Sequence, residues 1–209
     1  MSAETVALKS RPRAPDRQEA EAAVRTLLSY FGEDPVRAGL ADTPRRFIDA
    51  WAEFLSGYAE DPAAILSRTF EEVAGYSDIV LLKDIRFGSH CEHHLQPIVG
   101  TTHVAYLPST RVVGISKLAR VVDAFARRLV NQEAMTQQIA DAIESALAPR
   151  GVAVLIDAEH HCVTTRGARK AGASCVTRTL TGAFRDEPAL EARFFHLIGR
   201  PQTLTSGKN

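Results

Sequence analysis

The sequence predicts an α+β fold: an N-terminal helical region, then a four-stranded antiparallel sheet with two helices on one face. Three observations predict it. In the first third of the chain, apolar residues recur at helical spacings of three and four. From Ile79 onward the pattern changes to strand-like apolar runs. The segments after Ile79 then read strand, strand, helix, helix, strand, strand. A chain of 209 residues, 45% hydrophobic and 24% charged, suffices for one globular domain with or without a helical appendage.

Residues 1–15 are small and polar, which predicts a disordered tail. Asp16 followed by Glu19 is a capping-box start. Val24, Leu27, Leu28 and Phe31 form the stripe of the first helix, and Gly32 ends it. Thr43-Pro44 opens a second helix, with Thr43 as N-cap and Pro44 at the first helical position. Phe47, Ile48, Trp51, Phe54 and Leu55 make its apolar face, and Gly57 stops it. Asp61-Pro62 opens a short third helix to about Ser67. This helical region, residues 16–75, has little core of its own and needs the remainder of the chain, or another subunit, to pack against.

Residues 76–200 form the expected α+β domain. Ile79 to Leu82 is its first strand, and Thr102 to Leu107, closed by Pro108, its second. Ser116 caps a helix carrying Leu118, Val121, Val122, Phe125 and Leu129 on one face. A second helix carries Met135, Ile139, Ile143 and Leu147 and breaks at Pro149-Arg150-Gly151. Two strands follow, from Gly151 and over about Ser174 to Phe184. Glu187-Pro188 opens a final short helix to Ile198, and residues 201–209 are a polar tail.

Lys plus Arg and Asp plus Glu both number 25, so the basic footprint of a nucleic-acid binder is absent. No stretch approaches ~18 consecutive apolar residues, so no membrane span is expected. The N-terminus lacks the apolar run of a secretory signal, and three Cys do not make a disulfide framework. A cytoplasmic protein is the expectation.

Two clusters, His90-Cys91-Glu92-His93-His94 and His160-His161-Cys162, hold five of the seven His and two of the three Cys. Zinc prefers thiolate and imidazole, and a C-x-x-H pair with one distant Cys makes three protein ligands. A fourth position then stays open, as in a catalytic site. The backbone must turn between Cys91 and His94 for both to reach one ion, which leaves His93 beside the metal but uncoordinated. Val152, Val154, Ile156, Ala158, His160 and Cys162 alternate, which puts His160 and Cys162 on one strand face. A structural site with Cys175 as fourth ligand is an alternative. A deaminase-type zinc site requires a Pro-Cys-x-x-Cys run that this chain lacks.

Lys117 and Arg120 sit in the first turn of the helix opened by Ser116, against the helix macrodipole. An anion bound there would reconcile the charges, with backbone N–H groups and two cations converging on it. Arg166 follows the second cluster and is read with them as a candidate polyphosphate contact. Arg127, Arg128, Arg169 and Lys170 are read as solvated surface charge.

Taken together, these stretches resemble GTP cyclohydrolase I. The matching residues are Cys91 to Leu95, Val104 to Pro108, Gly114 to Arg120, Asn131-Gln132-Glu133, Thr136 to Ile139, and His160 to Val163 with Arg166-Gly167. The resemblance covers about Thr43 to Ile198. It implies a tunnelling-type fold whose sheets join into a barrel, in a homodecamer of two pentamers with active sites at subunit interfaces. It implies conversion of GTP and water to formate and dihydroneopterin triphosphate, the first step of pterin and folate biosynthesis. By motif, it makes Cys91, His94 and Cys162 the Zn2+ ligands and His93 and His160 the proton-transfer pair. It makes Gln132 and Glu133 the guanine segment, with Ser116, Lys117, Arg120, Arg166 and Arg46 on the ribose-triphosphate. The chain departs from the pattern at Asp49, where some relatives carry Lys, and at Arg178, where small polar residues are common.

Overall fold

A computed structural model describes residues 15–70 and 75–199. The tails expected over residues 1–15 and 201–209 fall outside these residues, apart from Pro15. The chain divides into two compact units between Glu53 and Phe54.

In the first unit, helix α1 (Arg17–Tyr30) opens with the expected capping box. The Asp16 carboxylate accepts from Glu19 N at 3.0 Å, and Glu19 accepts from Asp16 N at 2.7 Å. Gly32, at φ +86°, provides the left-handed turn after its end. Val24 is buried and Leu28 half-buried, yet Leu27 is 52% and Phe31 76% exposed, so half of the apolar stripe is left uncovered. Helix α2 (Thr43–Phe54) starts one residue earlier than expected, at Thr43 itself.

The second unit begins with a single 3-10 turn, Ser56–Ala59, and the short helix α3 (Pro62–Leu66) capped by the Asp61 side chain. Strands β1 (Thr69–Phe70), β2 (Val80–Cys91), β3 (Pro97–Leu107) and β4 (Val112–Val113) follow, then helix α4 (Ile115–Ala126). The chain continues through strand β5 (Leu129–Val130), helix α5 (Gln132–Leu147), strand β6 (Gly151–His160), helix α6 (His161–Thr164) and strand β7 (Cys175–Leu180). It ends with helices α7 (Gly182–Asp186) and α8 (Pro188–Leu197).

The four long strands form the expected antiparallel sheet in the order β2-β3-β6-β7. The two-residue β5 adds a fifth, parallel to β2. β2 and β3 are longer than their apolar runs because their outer halves are polar on one face, which hides them from a hydrophobicity reading. Along β6, Val152, Val154, Ile156 and Ala158 face α4 and α5 and join Leu118, Val121, Val122, Ile139 and Ile143 in the main core. The intervening Ala153 and Leu155 face the other way, onto Phe184, Phe194 and Ile198. The two central helices thus share one sheet face, as expected, while α7 and α8 cover part of the opposite face. β7 stops at Leu180 rather than running on to Phe184, since Gly182 turns the chain at φ +48° into α7.

Candidate active site

The C-x-x-H segment makes the turn that its spacing requires. Cys91 N donates to Gln96 O and Leu95 N to Cys91 O, both at 2.9 Å, and Leu95 adopts a left-handed φ of +54°. Cys91 Sγ, buried at the end of β2, lies 3.7 Å from His94 Nδ1 and 3.8 Å from His93 Nδ1. The ligand atoms of Cys91, His94 and Cys162 all lie within 4.8 Å of one another, and this is a group that can hold a metal ion. Ligand atoms at about 2.3 Å (S) and 2.0 Å (N) from a tetrahedral zinc sit about 3.5 Å apart, so the donor set and its spacing fit that ion. Cys175 is not in the group, although Cys91, Cys162 and Cys175 are all free thiols.

Cys162 gets there by a route different from the expected one. β6 ends at His160, and His161–Thr164 forms α6, closed by Thr165 N donating to His161 O at 3.0 Å. Cys162 therefore does not continue the strand face that carries His160. A helical turn advances only about 1.5 Å per residue, and this keeps the thiol near Cys91 instead of carrying it past. Burial and the neighbouring Cys91 thiol push the Cys162 thiol up, and Arg166 works against them. A bound cation reverses that balance, because a coordinating thiol is deprotonated.

His160 closes β6 on the α5 face. Its Nε2 lies 2.7 Å from Gln132 Oε1, and burial holds the imidazole below its ordinary pKa against the opposing pull of Glu133. Glu133 and His160 line one cavity of about 290 Å³ with Val163, Ala173, Ser174 and Cys175. Burial, then Glu133, pushes the Cys175 thiol up. A larger cavity, about 570 Å³ between α3 and α5, contains none of the expected site residues, and the chemistry favours the smaller one.

Gln132 is 2% exposed, so its side chain faces the protein interior and reaches His160 rather than open solvent. Asn131, which sequence reasoning left without a role, joins the two halves of the site. Its Oδ1 caps α5 by accepting from Ala134 N at 2.8 Å, and its Nδ2 donates to Glu92 Oε1 at 3.0 Å. The N-cap is readable from an Asn ahead of an apolar helix, whereas the reach to Glu92 is visible only in the fold.

The remaining candidates are Ser116 and a set of exposed or partly exposed cations. Ser116, Lys117 and Arg120 occupy the start of α4, but Gly114 rather than Ser116 is its N-cap, and no side chain caps that end. The missing cap leaves first-turn N–H groups available to an anion. Arg166 follows α6 in an exposed loop. Arg46, in the first unit, pairs with Asp42 at 3.2 Å. Arg128 is not the free surface charge expected, since it donates to Gly57 O, Ala124 O and Glu60 O and lies over Tyr58 and Phe125. Among the described residues, no helix is long and apolar enough to cross a membrane.

The family model for GTP cyclohydrolase I matches residues 20–199. The chain is 57% identical over 186 residues to GTP cyclohydrolase 1 of Maricaulis maris, covering 89% of this chain and 91% of that one. It is 58% identical over 186 residues to the GTP cyclohydrolase 1 proteins of Brucella suis and Brucella abortus, covering 89% of this chain and 87% of each of those. With the metal-ligand group, the Glu133–His160 cavity and a match over nearly the whole chain in agreement, the chain belongs to the GTP cyclohydrolase I family.

Proposed function

We propose that the chain converts GTP and water to formate and dihydroneopterin triphosphate, with a zinc ion held by Cys91, His94 and Cys162. The observation that carries the reading is the joint placement of a Cys-His-Cys ligand group and a cavity lined by Glu133 and His160, whose elements Asn131 ties together. Bound zinc supplies Lewis acidity, which lowers the pKa of water to about 7.

The chain's own residues do the rest. The Glu133 carboxylate accepts from the two adjacent N–H donors of guanine as a bidentate pair. Gln132 belongs to the same segment of α5. Ser116, Lys117 and Arg120, at the uncapped N-terminus of α4, bind the triphosphate with Arg166, and Arg46 is a further phosphate-side contact. His93, beside the ligand thiol of Cys91, gives a proton to the imidazole-ring nitrogen as the base opens. His160, its pKa lowered by burial, exchanges protons in the later ring-opening and rearrangement steps.

Self-association into two pentameric rings belongs to the same proposal. What supports it is the uncovered apolar stripe of α1, Leu27, Tyr30 and Phe31, together with a sheet open along β7. The working compartment is the cytoplasm.

The test is incubation of the zinc-loaded protein with GTP, following formate and pterin fluorescence together. Equal amounts of both are expected. Release of phosphate or guanine without formate would contradict the proposal.

A further inference from the structure

We infer that Gln132 is a positioning residue that locks His160 in one tautomer, with the ring proton on Nε2 and Nδ1 left to face the reaction. This rests on the proposed function only in giving His160 work to do; the lock itself is a property of the fold.

The lock follows from hydrogen-bond bookkeeping. Gln132 Nε2 lies 3.3 Å from Ile156 O, 2.9 Å from Cys175 O and 3.0 Å from Thr177 Oγ1. Two of these partners are carbonyls, which only accept. The amide nitrogen must therefore be the atom facing them, since the flipped amide would set oxygen against oxygen in a buried site. Thr136 removes the remaining ambiguity. Its Oγ1 donates to Gln132 O at 2.7 Å and lies 2.6 Å from Thr177 Oγ1. Having spent its one proton on Gln132 O, Thr136 must accept from Thr177. Thr177 can then only accept from Gln132 Nε2, whose two protons go to the nearer pair, Cys175 O at 2.9 Å and Thr177 Oγ1 at 3.0 Å. The protons run one way round a closed ring: Gln132 amide, Thr177, Thr136, Gln132 backbone.

Gln132 Oε1 is thereby fixed toward His160 Nε2 at 2.7 Å, and an amide oxygen only accepts. Nε2 must carry the hydrogen. Among the described residues Nδ1 has no hydrogen-bond partner, so it is the nitrogen available to a substrate in the cavity that His160 lines with Glu133. Gln132, at 2% exposure, acts on the reaction through His160.

The discriminating experiment is a double-variant cycle on the zinc-loaded protein, comparing Gln132→Met, His160→Ala and the pair. Methionine keeps the length of glutamine and removes its polar atoms. Gln132→Met alone should lower kcat by about 10- to 100-fold, less than the full loss of a proton-transfer group, with zinc content unchanged. On a His160→Ala background the same change should cost nothing further, because its target is gone. A double variant slower than His160→Ala by the full Gln132→Met factor would overturn the inference, because Gln132 would then act by touching substrate or by supporting the fold. If Gln132→Met does not fold, the wild-type protein still decides the matter. With 15N-labelled histidine, and His160 assigned by its loss in His160→Ala, a neutral Nε2–H tautomer is expected. An Nδ1–H tautomer would overturn the lock. A wild-type protein releasing no formate from GTP would sink the proposed function and leave the tautomer measurement untouched.

Discussion

Asp49 and Arg178, the two residues at which the chain departs from the family pattern, both have partners in the fold. Asp49 accepts from Arg17 at 2.6 Å and Arg45 at 3.4 Å, so it joins α1 to α2 instead of facing a phosphate. Arg178 pairs with Glu191 and lies 5.5 Å from the centre of the Phe195 ring, which fastens β7 to α8. Arg178→Ser should cost about 0.5–1 kcal/mol of stability, the worth of an exposed ion pair and cation–π contact. GTP turnover should not change; a denaturant midpoint and a formate assay check the two halves. Cys175→Ser should leave zinc content unchanged, and metal analysis showing its loss would revive Cys175 as a fourth ligand. The convergence of Cys91 and His94 was legible because their spacing is local. The inward role of Gln132 was not, because its partners Ile156 and Thr177 arrive from 24 and 45 residues away.

At the scale of elements, local signals placed the starts of α1 and α3 and the inward face of β6. They misplaced ends that depend on tertiary contacts, namely the strand reading through Cys162 and the run of β7 to Phe184. Gly57 illustrates such a contact. Its N donates to Arg127 O at 2.9 Å, and a Cβ there would lie 2.5 Å from Ala124 O and 2.7 Å from Arg127 O. Both obstacles are backbone atoms and cannot swing aside. Gly57→Ala should therefore destabilise the docking of the 3-10 turn on α4 by about 1–3 kcal/mol, read as a lowered Tm. In the core, Ile139 is fully buried between α5 and the sheet, and Ile139→Ala should cost about 2–5 kcal/mol.

For the whole molecule, the proposed function requires two kinds of group in one site, those that hold a metal and those that move protons. α1 bears on the proposed self-association. Its exposed stripe is not a core by itself, and Leu27→Glu with Phe31→Glu should shift the protein toward smaller species in sedimentation. Zinc content measured alongside GTP turnover in four variants separates the two kinds of group. Cys91→Ala and Cys162→Ala should lose metal and activity together, since two ligands bind zinc poorly. His93→Ala and His160→Ala should keep their zinc while turnover falls about 100-fold or more. If His93→Ala released the metal while His94→Ala retained it, the turn after Cys91 would present the other imidazole to the ion, and the division of roles would be wrong.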